Sequence, residues 1–399
     1  MANVLEGFEQ VEAVIRDGLA ATAPAIALAV YRRGEPLINR AYGFLDPETR
    51  QHPTQPDSLF DLASLTKLYT TTAFLMQVAD SKVTLDTPVV DVIPEFGKGG
   101  PRSIGETQDP HTLQMLPPLP ELLTFSPVDP AEITFRHLLT HTSGLAPWRN
   151  LFQEIGPTPP PPNQPDAMSY TARKTRALEL ITDYPFADAP GRTVRYSDLG
   201  LILLGEAVAR LDEQPSVAEV IENRLAVPGE LNRTGFNPRN PGECVPTEYD
   251  QRWRQRRCQG EVHDENACAC GGVAGHAGLF ATADDVACFG QSWLDALAGR
   301  RWLPVQLASD ATAEHAVTGV ERRGLGWSLR TTGVSSSGKH FSPNSIGHTG
   351  FTGTSLWIDP QREVVVALLT NRVYHGRDPE AIMAFRPAVH DAIAEWLKF

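Results

Sequence analysis

The sequence is poor in positive charge. It has 35 Lys and Arg residues against 48 Asp and Glu residues, which gives a formal net charge of −13. Nucleic-acid binding depends on clustered Lys and Arg that neutralise phosphates, so this balance argues against a nucleic-acid partner. The one basic run, RWRQRR at residues 252–257, is flanked by Glu248, Asp250 and Glu261. These acidic neighbours predict a solvated or salt-bridged loop.

The sequence also lacks a hydrophobic run of the length that a membrane span needs. The apolar stretch LAATAPAIALAV, residues 19–30, is too short to cross a bilayer. Glu6, Glu9, Glu12 and Asp17 precede it, whereas a secretory signal peptide begins with positive charge. We therefore expect the end of a helix followed by a buried strand, no membrane partner and a cytoplasmic protein.

Cysteines are few, and their five irregular positions do not suggest a disulfide framework. Cys258, His263, Cys268 and Cys270 lie close in the sequence and are residue types that bind zinc. Four residues separate Cys258 from His263 and one separates Cys268 from Cys270, which is not a usual zinc pattern. We favour a loop in which the cysteines are small apolar filler, with a metal site as the alternative.

Helical and strand patterns alternate in blocks along the chain, which predicts an α+β fold. Apolar residues recur at helical spacing over residues 6–20. Two β-rich runs follow, AIALAVYR and LINRAYGFL, and β-rich segments return after residue 320, before a last helix from about Pro379 to Leu397. We expect one antiparallel sheet flanked by the N- and C-terminal helices.

The middle of the chain has a different character, with short helical segments between Pro-rich and Gly-rich loops. We expect residues 81–280 to form an inserted, mostly helical domain, and residues 1–80 and 281–399 to form a discontinuous sheet domain. A cleft between two such domains is the usual place for a ligand site. Within this middle region, His137 and His141 are expected to brace helix ends, and His276 to line the cleft or hydrogen bond to loop backbone.

The stretch FDLASLTKLYT, residues 60–70, contains Ser64 and Lys67 where a helix is expected to begin. Positions three apart share a helix face, so the hydroxyl and the amine are expected to meet. A serine hydroxyl becomes a good nucleophile when a neighbouring base takes its proton. Partial burial and a helix N-terminus both disfavour a charged lysine, which suits Lys67 for that role. Serine is also common at helix starts, so the pair alone is a weak signal.

Two further stretches add polar residues. GRTVRYSDLGLILLGEAVARL, from residue 191, places Tyr196, Ser197 and Asp198 before an apolar helix, where Ser197 or Asp198 could simply cap the helix. SIGHTGFTGTSLWIDP, from residue 345, places His348 and Thr349 at the end of a strand, where the glycines could simply form a hairpin turn.

Together and in this order, the three stretches resemble the serine β-lactamase and penicillin-binding protein superfamily. Its pattern is Ser-x-x-Lys, then Tyr-x-Asn or Ser-x-Asn, then Lys-Thr-Gly. The resemblance covers roughly residues 8–398, and ITFRHLLTHTSGLAP and GEVHDENACACGGVAGHAGLFATADD look like the branch of class C β-lactamases, D-alanyl-D-alanine carboxypeptidases and family VIII carboxylesterases. It implies a β-lactamase/transpeptidase-like fold that needs no metal or other cofactor.

The resemblance implies a role for each matching residue. Ser64 would be the acylated nucleophile and Lys67 its proton acceptor. Tyr196 would shuttle a proton between the nucleophile, Lys67 and the leaving group. The backbone N–H groups of Ser64 and Phe351 would form the oxyanion hole, in which one donor is worth about 3 to 4 kcal/mol in other enzymes.

Two positions depart from the family pattern. Asp198 stands where the family has asparagine; an ionised aspartate only accepts hydrogen bonds, and it would hold Lys67 charged. The alternative alignment of Ser197-Asp198-Leu199 with Ser-Asp-Asn lacks the asparagine as well. His348 replaces the lysine of Lys-Thr-Gly, and a histidine is charged only in part near neutral pH. With Thr349 and Gly350, Asp198 and His348 are the predicted substrate-binding residues.

These departures favour an esterase or amidase of this fold that acts through an acyl-enzyme on Ser64. The alternatives are a β-lactamase, a D-alanyl-D-alanine carboxypeptidase or D-aminopeptidase, and a non-catalytic ligand-binding protein with the same fold. The expected partner is a small-molecule ester, amide or β-lactam. The sequence does not specify the oligomeric state.

Overall fold

The computed structural model describes residues 7–110 and 112–399. The strands, in chain order, are β1 Ala25–Arg32, β2 Glu35–Gly43, β3 Phe60–Asp61, β4 Thr107–Gln108, β5 Met115–Leu116, β6 Gly235–Phe236, β7 Tyr249–Asp250, β8 Arg256–Arg257, β9 Leu279–Ala281, β10 Ala316–Thr318, β11 Glu321–Arg323, β12 Ser328–Leu329, β13 Ile346–Thr349, β14 Ser355–Asp359 and β15 Val364–Thr370.

Eight of these strands form the main sheet, in the order β10-β11-β12-β13-β14-β15-β1-β2. Every neighbouring pair is antiparallel. The first strand of the chain therefore pairs with the last, with Ile26 opposite Thr370 and Val30 opposite Val366. The predicted union of the N-terminal hairpin with the C-terminal strands is confirmed.

The α-helices, in chain order, are α1 Phe8–Ala21, α2 Thr66–Ala79, α3 Val89–Val92, α4 Phe135–Leu139, α5 Leu151–Glu154, α6 Tyr170–Asp183, α7 Asp198–Leu211, α8 Val217–Ile221, α9 Val227–Gly229, α10 Glu265–Ala269, α11 Ala283–Leu297, α12 Val305–Thr312 and α13 Glu380–Leu397.

The two faces of β1 show how the helices cover the sheet. Ile26, Leu28 and Val30 pack in a cluster with apolar residues of α1 and α13, such as Phe8 and Ile393. The alternating residues are the alanines at positions 25, 27 and 29, which belong to the larger cluster on the opposite face. Alternation along a strand sends successive side chains to opposite faces. Small alanines let α11 lie close to the sheet, and the end helices cover the other face as predicted.

The region between β2 and α11 is mostly helical, and its described residues form three small sheets, the largest of which has three strands. Strands β3, β9 and β6 pair there, so the segment before Ser64 is joined to the segment after residue 278. One continuous hydrophobic cluster contains α2, α7, α11 and the inner face of the main sheet. The division at residues 80/81 and 280/281 stays a prediction.

Several local predictions can be compared with the structure directly. The basic run at residues 252–257 is salt-bridged, since Arg254 pairs with Asp250 at 2.8 Å and Arg256 with Glu261 at 2.7 Å. The apolar stretch at residues 19–30 contains the end of α1 and most of β1. Within residues 7–110 and 112–399, no helix combines the length and apolar content that crossing a bilayer requires.

Candidate active site

Ser64 lies on a one-turn 3-10 helix, Ala63–Leu65, that leads directly into α2. The expected helix over Ser64 is thus present, but its first turn is tighter. Ala63 has φ of 46°, a left-handed conformation that is costly for a residue with a side chain. The Asp61 carboxylate stabilises this turn by accepting hydrogen bonds from Ala63 N at 2.8 Å and from His263 N at 2.6 Å.

The serine turn is tied to the turn between β13 and β14. Thr352 Oγ1 donates to Asp61 O at 2.8 Å, and Thr354 Oγ1 donates to Leu62 O at 3.0 Å. Gly350 fits only because it has no side chain: a Cβ there would lie 2.6 Å from Leu62 O. These contacts place the chain around Phe351 next to the chain around Ser64, where their backbone groups would act together.

Lys67 is buried at the centre of the site, with 1% of its surface exposed. Its Nζ donates to Ser64 Oγ at 2.8 Å and to the backbone oxygen of His276 at 3.0 Å. It also forms an ion pair with Asp198 Oδ1 at 2.8 Å. The predicted meeting of Ser64 and Lys67 is therefore seen, and Asp198 joins them from the first turn of α7.

The charges around Lys67 determine its protonation. Burial by itself would lower the pKa of Lys67, but the carboxylate of Asp198 and the phenol of Tyr196 outweigh burial and raise the pKa above its usual value. Burial also raises the pKa of Tyr196, against the opposing effect of Lys67. Both directions favour a lysine ammonium beside a neutral phenol.

Tyr196 is packed between aromatic rings and cations. Its ring centroid lies 4.6 Å from that of His141 and 5.9 Å from that of His348. Lys67 Nζ is 4.9 Å and the Arg323 guanidinium 5.4 Å from the same ring. His141 also fixes the chain, because its Nδ1 accepts the backbone N–H of Ser197, the N-cap of α7, at 3.1 Å.

The two histidines of the middle region brace helix ends as predicted. His141 does so at the start of α7. His137 forms a capping box with Thr134 at the start of α4, where its Nδ1 accepts the Thr134 N–H at 3.2 Å. A capping box satisfies two backbone donors that the helix leaves unpaired.

His348 is buried, with 3% of its surface exposed. Its Nδ1 donates to Thr349 O at 2.9 Å, and its buried Nε2 has no hydrogen-bond partner among the described residues. Burial lowers the pKa of His348 well below the usual value, and Arg323 and Lys67 lower it further. The expectation of partial charge near neutral pH did not take burial into account, and burial favours the neutral ring.

Three contacts at the site were not predicted from the sequence. The backbone oxygen of His276 holds Lys67, and the His276 ring pairs with Asp264, with Nε2 2.9 Å from Oδ1. His276 was expected to line the cleft or to hydrogen bond to loop backbone. Its observed contacts at the site are with Lys67 and Asp264. Arg323 brings a guanidinium to the Tyr196 ring from β11. His276 and Asp264 lie in the stretch GEVHDENACACGGVAGHAGLFATADD, and Arg323 lies outside every quoted stretch, so these contacts become visible only in the fold.

The four candidate zinc ligands have other contacts. His263 Nε2 lies 3.1 Å from Glu248 Oε2, and its ring stacks on Phe351 with centroids 5.6 Å apart. Burial raises the pKa of the Cys268 thiol to about 11, which disfavours the thiolate that binds metal. Throughout the part of the chain that the structure describes, no three His, Cys, Asp or Glu residues are grouped as a metal would require.

Comparison with known proteins places this arrangement in a family. The family model described as Beta-lactamase matches residues 11–386. The chain belongs to the β-lactamase family. It is 30% identical over 392 residues to an N-acetylmuramyl-L-alanine amidase of Bacillus subtilis (strain 168), covering 91% of this chain and 80% of that protein. It is 29% identical over 396 residues to Esterase EstB of Burkholderia gladioli, covering 92% of this chain and 90% of the esterase.

Solved structures agree with the β-lactamase fold. EstCE1, a hydrolase with promiscuous acyltransferase activity, superposes with a TM-score of 0.72 at 19% identity, over 98% of this chain and all of EstCE1. A penicillin-binding protein homologue from Caulobacter crescentus superposes with a TM-score of 0.69 at 18% identity, over 97% of each chain. The predicted fold and the predicted enzyme class, a serine hydrolase of the β-lactamase family, are confirmed. The roles of individual residues stay predictions.

Proposed function

We propose that this β-lactamase-family hydrolase cleaves small esters or amides through an acyl-enzyme on Ser64. The observation that carries the proposal is the 2.8 Å hydrogen bond between Lys67 Nζ and Ser64 Oγ on a strained turn. A positioned amine next to a serine hydroxyl is the arrangement that activates a nucleophile. The second support is the position of the Phe351 backbone beside that of Ser64, which suits two oxyanion donors.

In the proposed reaction, Ser64 Oγ attacks the acyl carbon, and the hydroxyl proton passes to the polar groups around Lys67. The N–H groups of Ser64 and Phe351 stabilise the oxyanion. The leaving alcohol or amine takes up a proton, with Tyr196 as the shuttle, and water then releases the acid from Ser64. Asp198, His348, Thr349 and Gly350 surround the bound acyl group.

The substrate class follows from the charges at the site and from the relatives. The neutral ring of His348 removes the fixed cation that the family lysine places there, which weakens recognition of penicillins through this residue. Relatives named as an esterase and an amidase support ester and amide substrates. We therefore expect short-chain p-nitrophenyl esters to be cleaved faster than nitrocefin. Nitrocefin turnover far above ester turnover would contradict this ordering.

Intact-mass measurement after incubation with a fluorophosphonate tests the nucleophile. The wild type should gain one adduct that is lost in Ser64→Ala. Ser309→Ala is the matched control, since Ser309 is exposed on α12, and it should label fully. An adduct that persists in Ser64→Ala would place the nucleophile elsewhere. No adduct in the wild type with either a fluorophosphonate or a labelled penicillin would favour a non-catalytic binding protein.

A second candidate activity is hydrolysis of substrates with a free carboxylate, as in a D-alanyl-D-alanine carboxypeptidase. Arg323 favours it, because its guanidinium lies beside Tyr196 and a permanent cation suits a carboxylate. A cavity of about 200 Å³ is lined by Arg323, His348 and Thr349 together with other residues of this edge of the sheet. A panel of acidic and neutral esters, β-lactams and D-amino-acid peptides separates the two candidates.

We also propose a cytoplasmic location. Cys244, Cys258, Cys268, Cys270 and Cys288 are all free thiols, as is usual in a reducing compartment. Fractionation of cells with an antibody against this chain is the test. Recovery in a secreted or periplasmic fraction would contradict the proposal.

A further inference from the structure

We infer that Asp198 holds the proton lost by Ser64 during acylation, and that Lys67 relays that proton without losing its own charge. The inference rests on the proposed acyl-enzyme at Ser64 and adds a proton-accepting residue to it. It moves Asp198 from substrate binding to the proton-transfer machinery.

The surroundings of Lys67 suit a permanent ammonium. An ammonium has three N–H donors. Three oxygen atoms lie within 3.0 Å of Nζ: Ser64 Oγ, His276 O and Asp198 Oδ1. A neutral amine would have to turn a lone pair toward Ser64 Oγ while still buried beside the Asp198 carboxylate. The geometry therefore makes Lys67 a bridge between the nucleophile and the carboxylate.

Asp198 is held so that one oxygen is available to receive a proton. It is the first residue of α7, and its backbone N–H donates to Pro147 O at 2.9 Å. Its Oδ1 is buried and, apart from the contact with Lys67, accepts no hydrogen bond from the described residues. An oxygen without other donors loses no hydrogen bond when it takes a proton.

The other titratable groups around Lys67 are poorer acceptors. Tyr196 would have to be a phenolate, yet burial raises its pKa. Burial and nearby cations lower the pKa of both His141 and His348 well below the usual value, so both rings hold a proton poorly. Arg323 is a permanent cation.

The remaining pair, His276 and Asp264, is already engaged. The two side chains contact each other at 2.9 Å. Burial raises the pKa of Asp264, but His276 outweighs burial and holds the pKa below its usual range. Asp264 therefore keeps its charge beside the imidazole and does not compete with Asp198 for the proton.

The step balances without any added reactant. Lys67 Nζ gives one hydrogen to Asp198 Oδ1, and the lone pair that this frees takes the hydrogen of Ser64 Oγ as Oγ bonds to the acyl carbon. The carbonyl electron pair moves onto the oxygen. When the bond to the leaving group breaks, that electron pair returns, and the leaving atom receives the proton from Asp198 through Lys67 and the hydroxyl of Tyr196, which passes on one proton as it takes up another. Asp198 is a carboxylate again, and the same cycle serves the attacking water.

Asparagine, which the family pattern has at this position, cannot take up the proton. Asp198→Asn should therefore lower kcat/KM for p-nitrophenyl acetate by at least about 100-fold, the usual scale of general-base catalysis. The acid limb of the pH profile should move to higher pH, because activity then requires a neutral Lys67. Asp198→Glu should keep the wild-type acid limb with part of the rate. Asp57→Asn, at an exposed position, is the matched control.

Two results would overturn the inference. One is an Asp198→Asn enzyme that folds and keeps the wild-type rate and acid limb, or that is faster. The other comes from the wild type alone, should Asp198→Asn fail to fold: two protons in motion predict a curved plot of rate against deuterium fraction, and a straight line would contradict the relay. If either result is found while Ser64 still forms a fluorophosphonate adduct, only the role of Asp198 is contradicted. An unreactive Ser64 would sink the proposed function as well.

Discussion

Two ion pairs in this protein have the same 2.8 Å distance between their charged atoms but different hydrogen-bonding surroundings. They are Arg254–Asp250 and Lys67–Asp198. In the loop at residues 249–263, the Arg254 side chain donates to Asp250 Oδ2 at 2.8 Å and to the backbone oxygens of Val262 and His263. The Asp250 carboxylate accepts three backbone N–H groups in turn. The donors and acceptors of this pair satisfy one another and shape the loop.

The Lys67–Asp198 pair is not saturated with hydrogen bonds, whereas the Arg254–Asp250 pair is. We call the first the open pair and the second the closed pair. Lys67 also donates to the Ser64 hydroxyl, and Asp198 Oδ1 has no other hydrogen-bond partner among the described residues. A buried charge that lacks a full set of partners costs stability. The difference teaches that a saturated network supports the fold, whereas an unsaturated one leaves an atom free for chemistry.

The largest expected effect is on activity, at the open pair. Lys67→Met should lower ester hydrolysis on the order of 10^4-fold, the upper end for a proton-transfer group, because Ser64 loses both its positioning contact and its proton relay. Lys82→Met, at an exposed lysine just after α2, is the control and should keep full activity. Initial rates of p-nitrophenyl acetate hydrolysis measure this effect. A loss below tenfold would show that Lys67 takes no part in the proton transfer.

At the closed pair the expected effect is on stability. Arg254→Met leaves Asp250 buried without its partner and should lower the free energy of unfolding by about 3 to 5 kcal/mol. Urea unfolding measures this, with the exposed Arg252→Met as the control. Folded Arg254→Met protein should still label at Ser64. A stability loss under about 1 kcal/mol would mean that the loop does not depend on this pair.

His390 is a third buried group, and it differs from both ion pairs because burial favours its neutral form. Burial lowers the pKa of His390 to about 4, and its Nδ1 donates to Arg386 O at 2.8 Å. An unfolded histidine takes up a proton near pH 6.5. The unfolded state thus binds more protons between pH 6.5 and 4, so stability is present above this window and is lost as pH falls through it, by about 3 kcal/mol in all.

His390→Gln checks this pH dependence, since glutamine keeps a donor and does not titrate. Urea unfolding at neutral pH and at about pH 4.5 should show a smaller acid loss in the variant than in the wild type. Equal losses in both proteins would show that other groups, such as buried carboxylates, carry the acid sensitivity.

The smallest expected effect concerns the cation beside Tyr196. Arg323→Gln should raise KM about tenfold for a p-nitrophenyl ester with a free carboxylate and leave KM for a neutral ester unchanged, as loss of one charge-assisted contact implies. Arg16→Gln, at an exposed arginine of α1, is the control. Equal changes for both esters would show that Arg323 packs against Tyr196 without selecting substrates.

The parts of the fold that follow a strong local pattern could be predicted from the sequence. The first and last helices were placed within two residues of their observed bounds, because each buries one apolar face. Strands β3, β6 and β9 were not foreseen, since two or three residues carry no usable periodicity. Their pairing depends on contacts between distant segments, which no local pattern contains.

The candidate site divides in the same way. The approach of Lys67 to Ser64 follows from helical spacing, so it could be predicted. The neutral ring of His348 could not, because its burial is created by segments far along the chain. The backbone oxygen of His276 has no side-chain signature at all. Arg323 lies outside every motif and reaches Tyr196 only because β11 joins the edge of the sheet.

The pairing of β1 with β15 has a consequence for how the protein is made. About 290 residues separate Ser64 from Phe351, and β1 pairs with a strand, β15, that lies near the end of the sequence. At a synthesis rate of about 5 to 20 residues per second, that interval lasts tens of seconds. A ribosome-bound chain therefore carries its serine turn long before the turn around Phe351 that packs against it exists, so the candidate site is assembled only once translation is nearly complete.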